Sequence, residues 1–173
     1  LFHEIMFDAA ICAGTPQRVQ QWPGVQQHFL MPEDVVAVCS PSLIQDYFPN
    51  AQPNLQGQYD LTAEQLTQLP LLQQTTRPSI WQEWFHSAGI LHPNAHDGQR
   101  HELFSMLAVA ATHHMGMALI PQMLLEKELK DGSLVIASQH QLHGSRSYYL
   151  IHADGDTSPL LAKFVQWLKT VVE

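Results

Sequence analysis

Two of the four arginines stand where an apolar segment gives way to polar residues, and they are the side chains best suited to bind a ligand. Arg77 follows Thr75 and Thr76, and Arg100 follows Gln99. A guanidinium group binds a carboxylate through two parallel hydrogen bonds, and the N–H groups at a helix start attract negative charge. We therefore predict a small anionic ligand, such as a carboxylate or an amino acid. Thr75, Thr76 and Arg77 would bind it from one side, with Gln99 or Arg100 opposite.

A third junction of the same kind, Ala13-Gly14-Thr15, follows the first apolar segment, so Ala13 and Gly14 are predicted to belong to the site as well. The alternative is that these residues have a structural role and bind no ligand. In that case Thr75 and Thr76 only cap a helix that begins near Pro78, and both arginines lie in solvent.

The eleven histidines invite a metal-binding interpretation, but their spacing does not favour it. The sequence has no HExxH motif and no Cys/His spacing of a structural zinc site. Pro93 and Asn94 separate His92 from His96 and disfavour a helix that would place both on one face. We predict no metal site and no cofactor.

Trp81, Trp84 and Phe85 have the spacing of one helix face. We interpret them as core residues, with a platform for stacking a ligand as the alternative.

Charge and composition exclude several classes of protein. The 173 residues are 45% hydrophobic, enough for a substantial core, and carry a formal net charge of −8. The eight basic residues never cluster, so this surface would repel nucleic acid. Cys12 and Cys39 form no CxxC pair, and no apolar stretch approaches the roughly 20 residues that span a bilayer. A cytoplasmic protein without membrane contact is expected.

Short apolar strands alternate with amphipathic helices along the chain. Strands are predicted near residues 7–12, 34–39, 69–73, 117–120, 134–137 and 147–151. Helices are predicted near residues 41–48, 78–88, 103–114, 121–130 and 159–172. This alternation predicts an α/β architecture with mostly parallel sheets covered by helices on both faces.

The order of these segments resembles one known family over essentially the whole chain. The landmarks are Trp22-Pro23-Gly24-Val25, Val38-Cys39-Ser40-Pro41, Trp81-Gln82-Glu83-Trp84-Phe85, Met115-Gly116-Met117-Ala118-Leu119-Ile120-Pro121 and Phe164-Val165-Gln166-Trp167-Leu168. Together they resemble the effector-binding domain of LysR-type transcription regulators. Trp-Pro-Gly followed by Cys-Ser-Pro is similar to the subgroup that includes the glycine-cleavage and β-lactamase regulators.

This resemblance implies a two-lobed fold like that of type II periplasmic binding proteins, with the ligand between the lobes. It places residues 1–37 and 150–173 in lobe I and residues 38–149 in lobe II. The effector would alter DNA binding by a separate N-terminal helix-turn-helix domain, and the regulator would be a homodimer or homotetramer. DNA contact would occur only through that domain.

Two other functions remain as alternatives. One is a solute-binding protein of the same fold for an anionic metabolite. The other is an enzyme, which is disfavoured because the sequence lacks GxSxG, GxxxxGK[ST] and GxGxxG motifs.

The chain departs from the family pattern in two ways. His114 stands where the family usually has a glycine. In addition, the strand, the helix and part of a second strand that open the family's domain have no counterpart before Leu1.

Overall fold

The computed structural model describes residues 7–155 and 158–172, which form two compact units. Unit 1 contains the described residues up to Glu33 and those from His143 onward, and unit 2 is Asp34–Leu142. The chain therefore leaves unit 1 once, builds unit 2 without interruption, and returns.

Strands and helices alternate in the described part of the chain. The strands are β1 (Ala9–Gly14), β2 (Val25–Pro32), β3 (Val35–Cys39), β4 (Leu72–Gln74), β5 (Gln99–His101), β6 (Ala118–Pro121), β7 (Val135–Ile136) and β8 (Ser147–Ala153). The helices are α1 (Pro16–Gln20), α2 (Pro41–Tyr47), α3 (Ala63–Leu66), α4 (Ile80–Ser87), α5 (Phe104–Thr112), α6 (Glu126–Asp131) and α7 (Pro159–Val172), with a 3-10 turn at Gln122–Leu124. No helix of the described ranges combines the length and the apolar character that crossing a membrane requires.

Unit 1 is built on a three-stranded antiparallel sheet in the order β1, β8, β2. Successive side chains of a strand point to opposite faces, so β8 serves two cores. On one face the core contains Leu30, Leu150, Leu161 and Val165, the last two from α7. On the other face Tyr149 and Ile151 pack with Val19 of α1.

Strand β3 is the centre of unit 2. It lies between β6 and β7 and runs antiparallel to both. All five of its residues are buried, because separate apolar clusters cover its two faces. This explains why the segment is continuously hydrophobic rather than alternating. Strands β4 and β5 pair in parallel, and a parallel bridge between Leu71 and Met117 joins this pair to the residues before β6.

The aromatic residues of α4 fill the larger of these clusters. Trp81, Trp84 and Phe85 are each fully buried, and their ring centroids lie 5.2–5.9 Å apart. The Trp81 indole N–H also donates to the carbonyl of Leu72 at 2.9 Å, which ties α4 to β4. The prediction that these residues belong to the core is confirmed.

The predicted α/β class is confirmed, but the prediction of mostly parallel sheets is wrong. Among the described strands only β4 and β5 pair in parallel, and both three-stranded sheets are antiparallel. Alternating strands and helices predict parallel pairing only where a helix crosses over between neighbouring strands of one sheet. Here β8 returns to the sheet of β1 and β2 from unit 2 and runs against both.

The two units divide after Glu33 and before His143, whereas the resemblance places the lobe boundaries after residue 37 and before residue 150. Strand pairing accounts for the difference. Strand β3 pairs only with strands of unit 2, and β8 pairs only with strands of unit 1.

His114 is the one non-glycine residue with positive φ in the described ranges, at 66°. Its side chain joins α5 to α2. The imidazole Nδ1 lies 2.9 Å from the Ser42 hydroxyl and 3.3 Å from that of Ser40, and Nε2 lies 2.9 Å from a carboxylate oxygen of Asp46. A left-handed backbone costs an L-residue roughly 1–2 kcal/mol. The contacts with α2 offset that cost.

We expect His114→Ala to lower the free energy of unfolding more than His114→Gly, by roughly 1 kcal/mol. Both variants lose the imidazole contacts, but only alanine retains the cost of the left-handed backbone. Urea unfolding followed by tryptophan fluorescence measures the difference. At the neighbouring His113, where φ is −89°, the order should reverse and glycine should be the more damaging. An equal loss for both His114 variants would contradict the strain argument.

Candidate functional site

The candidate site lies at the end of strand β4 in unit 2. Strand β4 is wholly buried, and the chain reaches solvent after it at Thr75 and Thr76, followed by the half-buried Arg77. The parallel register places Gln99 opposite Leu72 and Arg100 opposite Gln73. The five site residues predicted in this unit are therefore all carried by one pair of strands and the turn that follows it.

The two threonines are fixed by hydrogen bonds with defined partners. Thr75 donates its backbone N–H and its hydroxyl to the carbonyl of His101, at 2.9 and 3.1 Å. Thr76 donates its backbone N–H and its hydroxyl to the side-chain oxygen of Gln74, at 2.6 and 2.8 Å. Neither threonine caps α4, which begins at Ile80 with Ser79 before it. The capping part of the structural alternative is therefore not observed, whereas the exposure of Arg100 agrees with its other part.

Arg77 is held on two sides. Its Nη1 donates to the Thr76 hydroxyl oxygen at 2.7 Å, and its guanidinium carbon lies 4.7 Å from the centre of the Phe104 ring. A cation over an aromatic face is attracted by the ring and keeps its plane in a defined orientation. Arg77 thus presents a positive charge beside two ordered hydroxyl groups.

Gln99 and Arg100 have a different setting from the one predicted. They do not stand at a helix start, because β5 occupies Gln99–His101 and α5 begins only at Phe104. Both side chains are exposed, and Arg100 donates to the carbonyl of His96 over 3.4 Å. A three-residue strand of polar residues has no apolar alternation, so hydrophobic periodicity does not predict β5.

Ala13 and Gly14 lie in unit 1, at the end of β1. The Ala13 carbonyl accepts a hydrogen bond from Nη2 of Arg146 at 3.0 Å. Gly14 is buried, and a Cβ there would lie 2.7 Å from a methyl group of Val19. The absence of a side chain at Gly14 therefore has a packing reason within unit 1.

Two buried glutamines that sequence reasoning missed organise the site. Gln73 donates its amide N–H groups to the carbonyls of Ala95 and Asp97, at 3.0 and 2.7 Å. Gln74 donates to the carbonyl of Glu102 at 2.7 Å while its oxygen orders Thr76. The only available signal was two consecutive amides at the end of an apolar segment, since buried amides must be hydrogen-bonded.

Two buried polar atoms of the β4–β5 pair have no hydrogen-bond partner among the described residues. They are the side-chain oxygen of Gln73 and the Nε2 atom of His101. Such atoms are uncommon in folded proteins and call for a physical reason.

The described residues contain no group of three or more His, Cys, Asp or Glu side chains that could hold a metal ion.

Comparison with known proteins identifies the family. A sequence model described as the LysR substrate binding domain matches residues 3–173. The chain therefore belongs to this family and is an effector-binding domain of the LysR type, as predicted from the landmarks. The family is not enzymatic.

The chain shares only a minority of its residues with individual relatives. The chain is 28% identical over 148 residues, 85% of its length, to the glycine cleavage system transcriptional activator of Escherichia coli strain K12. It is 33% identical over 114 residues, 65% of its length, to the HTH-type transcriptional regulator TrpI of Pseudomonas aeruginosa. These matches cover 45% and 36% of the two relatives, so the chain spans less than half of their length.

Solved structures show the same fold. The effector domain of AmpR from Pseudomonas aeruginosa matches with a TM-score of 0.75 and 20% identity, covering 95% of this chain and 71% of that one. The AmpR effector binding domain of Citrobacter freundii gives 0.74 and 22%, covering 95% and 74%.

We expect Gly98→Ala to disturb the site more than Gly89→Ala. Both glycines have positive φ, 113° and 81°, so alanine is strained at each. Only at Gly98 would the added Cβ overlap a neighbour, the carbonyl of Leu71. That overlap should cost about 1–3 kcal/mol beyond the backbone strain and displace β5 from β4. Urea unfolding and amide chemical shifts of residues 72–77 measure both effects, and equal losses in the two variants would contradict the close approach.

Proposed function

We propose that this domain binds a small carboxylate or amino acid through Thr75, Thr76 and Arg77, with Gln99 or Arg100 contributing from β5. The observation that carries the proposal is the Arg77 guanidinium, fixed between the Thr76 hydroxyl and the Phe104 ring. A fixed guanidinium loses little conformational entropy on binding and matches the two oxygens of a carboxylate.

Charge supports the same ligand class. The chain carries a net charge of −8, so an anion is repelled by most of its surface. Arg77 follows β4 and Arg100 lies in the neighbouring strand β5, so two of the eight basic residues belong to adjacent segments.

We propose regulation of transcription as the role of the whole protein. A ligand shifts a conformational equilibrium only by the difference in its affinity for the two states. In this proposal the effector changes how a separate helix-turn-helix domain binds DNA, within a cytoplasmic homodimer or homotetramer. The names of the two curated relatives, an activator and an HTH-type regulator, favour this role over that of a solute-binding protein.

Ala13 and Gly14 remain proposed contributors from unit 1. Gly14 is buried, and a side chain at this position would meet Val19, so its contribution would come from its backbone alone.

Arg77→Ala tests the proposal. A panel of amino acids and small carboxylates is first screened for those that raise the melting temperature of the chain, and the strongest is then titrated by calorimetry. Hydrogen bonds to a charged group contribute about 1.5–3 kcal/mol, so Arg77→Ala should weaken binding by roughly 10- to 150-fold. Arg77→Lys keeps the charge but loses the planar fork, and it should recover only part of the affinity.

Lys130→Ala is the control, because Lys130 is an exposed basic residue at the end of α6 and takes no part in the proposed site. The affinity of this control variant for the carboxylate should equal that of the chain without substitutions. Unchanged affinity in a folded Arg77→Ala variant would remove Arg77 from the site. A panel without any stabilising carboxylate would contradict the ligand class.

A further inference from the structure

Two histidines far apart in the sequence meet in the sheet of unit 1. His28 lies in β2 and His152 in β8, and the antiparallel register pairs His152 with Gln26, two residues before His28. Because side chains alternate along a strand, His28 and His152 emerge on the same face of the sheet as diagonal neighbours. This is also the face that carries Leu30 and Leu150 against α7.

The two imidazoles approach each other through one nitrogen each. The Nε2 atoms are 3.0 Å apart, and the rings are nearly parallel, at 22°, with centroids 5.2 Å apart. The Nδ1 atom of His152 lies 3.0 Å from the carbonyl oxygen of Ala153, to which it can only donate. In neutral His152 the proton is therefore on Nδ1, and Nε2 accepts a hydrogen bond from the Nε2–H group of His28.

This arrangement has the features of a metal chelate. Histidine ligands commonly donate their second N–H to a backbone carbonyl, which fixes the tautomer, as the Ala153 carbonyl does here. Two nitrogens bound to one ion at about 2.0–2.1 Å lie about 2.9 Å apart at a right angle and about 3.3 Å apart at a tetrahedral angle. The observed separation of 3.0 Å falls within that interval.

Of the charges near His28 and His152, some oppose the binding of a cation and others favour it. Burial lowers the pKa of His28 from its usual value, and the positive charges of Lys169 on α7 and of His152 lower it further. Before His28 can bind a metal ion, its hydrogen bond to His152 must break and its proton must move from Nε2 to Nδ1. Lys169 opposes an added cation, whereas Asp154, which directly follows β8 and accepts a hydrogen bond from Gln26 at 2.7 Å, adds a negative charge to this end of the sheet.

We propose that His28 and His152 form a two-histidine site for a divalent transition-metal ion of the zinc, nickel or copper class. Imidazole is a preferred ligand of these ions. Because the described residues offer no third His, Cys, Asp or Glu ligand, water or a soluble donor completes the coordination. The bound ion joins β2 to β8 and stabilises unit 1. The site shares no residue with the proposed effector site.

Zinc chloride is the probe for the test, with the 173-residue chain labelled with ¹⁵N-histidine at pH 7.5. The imidazole nitrogens are observed individually by NMR during the titration, so zinc bound at other histidines does not interfere. We expect the Nε2 signals of His28 and His152 to shift together, with one common half-saturation concentration. The melting temperature should rise over the same range, because a ligand of the folded state stabilises it.

The decisive variant is His28→Gln. Loss of a partner that merely orients a ligand costs about 10- to 100-fold in metal affinity, so loss of a ligand should raise the half-saturation concentration for His152 at least about tenfold. His113→Gln removes an exposed histidine of unit 2 and should leave that value unchanged. The proposal is overturned if zinc moves other histidines before this pair, or if His152 responds identically in the unchanged chain and in His28→Gln.

Discussion

The candidate site depends on how a three-residue strand is held in place. Strands β4 and β5 are too short to fix their own position through backbone hydrogen bonds alone. Gln73 and Gln74 add side-chain hydrogen bonds from buried positions to carbonyls before and after β5. A buried amide without a hydrogen-bond partner destabilises the fold by more than a formed hydrogen bond stabilises it. The partners of Gln73 and Gln74 are therefore held in place. The position of β5, and with it that of Thr75 and Arg77, follows from this requirement.

Side-chain contacts also determine the local structure at the end of α5. His114 takes a backbone conformation that glycine adopts freely, and the contacts of its imidazole with Ser42 and Asp46 compensate. The family resemblance marks this position as one that usually has glycine, so the chain has exchanged conformational freedom for a link between α5 and α2. A residue that departs from a family pattern can thus be stable when its side chain supplies what the backbone loses.

Much of the fold could be predicted from the sequence, because hydrophobic periodicity and capping residues report local structure. The helices around Trp81–Phe85, from Phe104 and from Pro159 follow from this signal. Strand direction could not be predicted, since β8 finds its partners more than 110 residues away in the chain. The end of an apolar strand before Thr75 was predicted from the sequence, but β5 and the buried glutamines were not. The His28–His152 pair was missed for the same reason as β8: it exists only once distant strands have paired.

The short β4–β5 pair also gives the proposed effector a means of acting within unit 2. Thr75 holds the carbonyl of His101, the last residue of β5, and Arg77 lies against Phe104, the first residue of α5. A ligand that draws Arg77 or Thr75 toward itself therefore acts on the two ends of the segment between β5 and α5. Regions with few backbone hydrogen bonds have low local stability and respond to small changes in free energy. Strand β4 is itself buried and hydrogen-bonded to Met117 on its other side, so a displacement would fall on the exposed β5 rather than on β4.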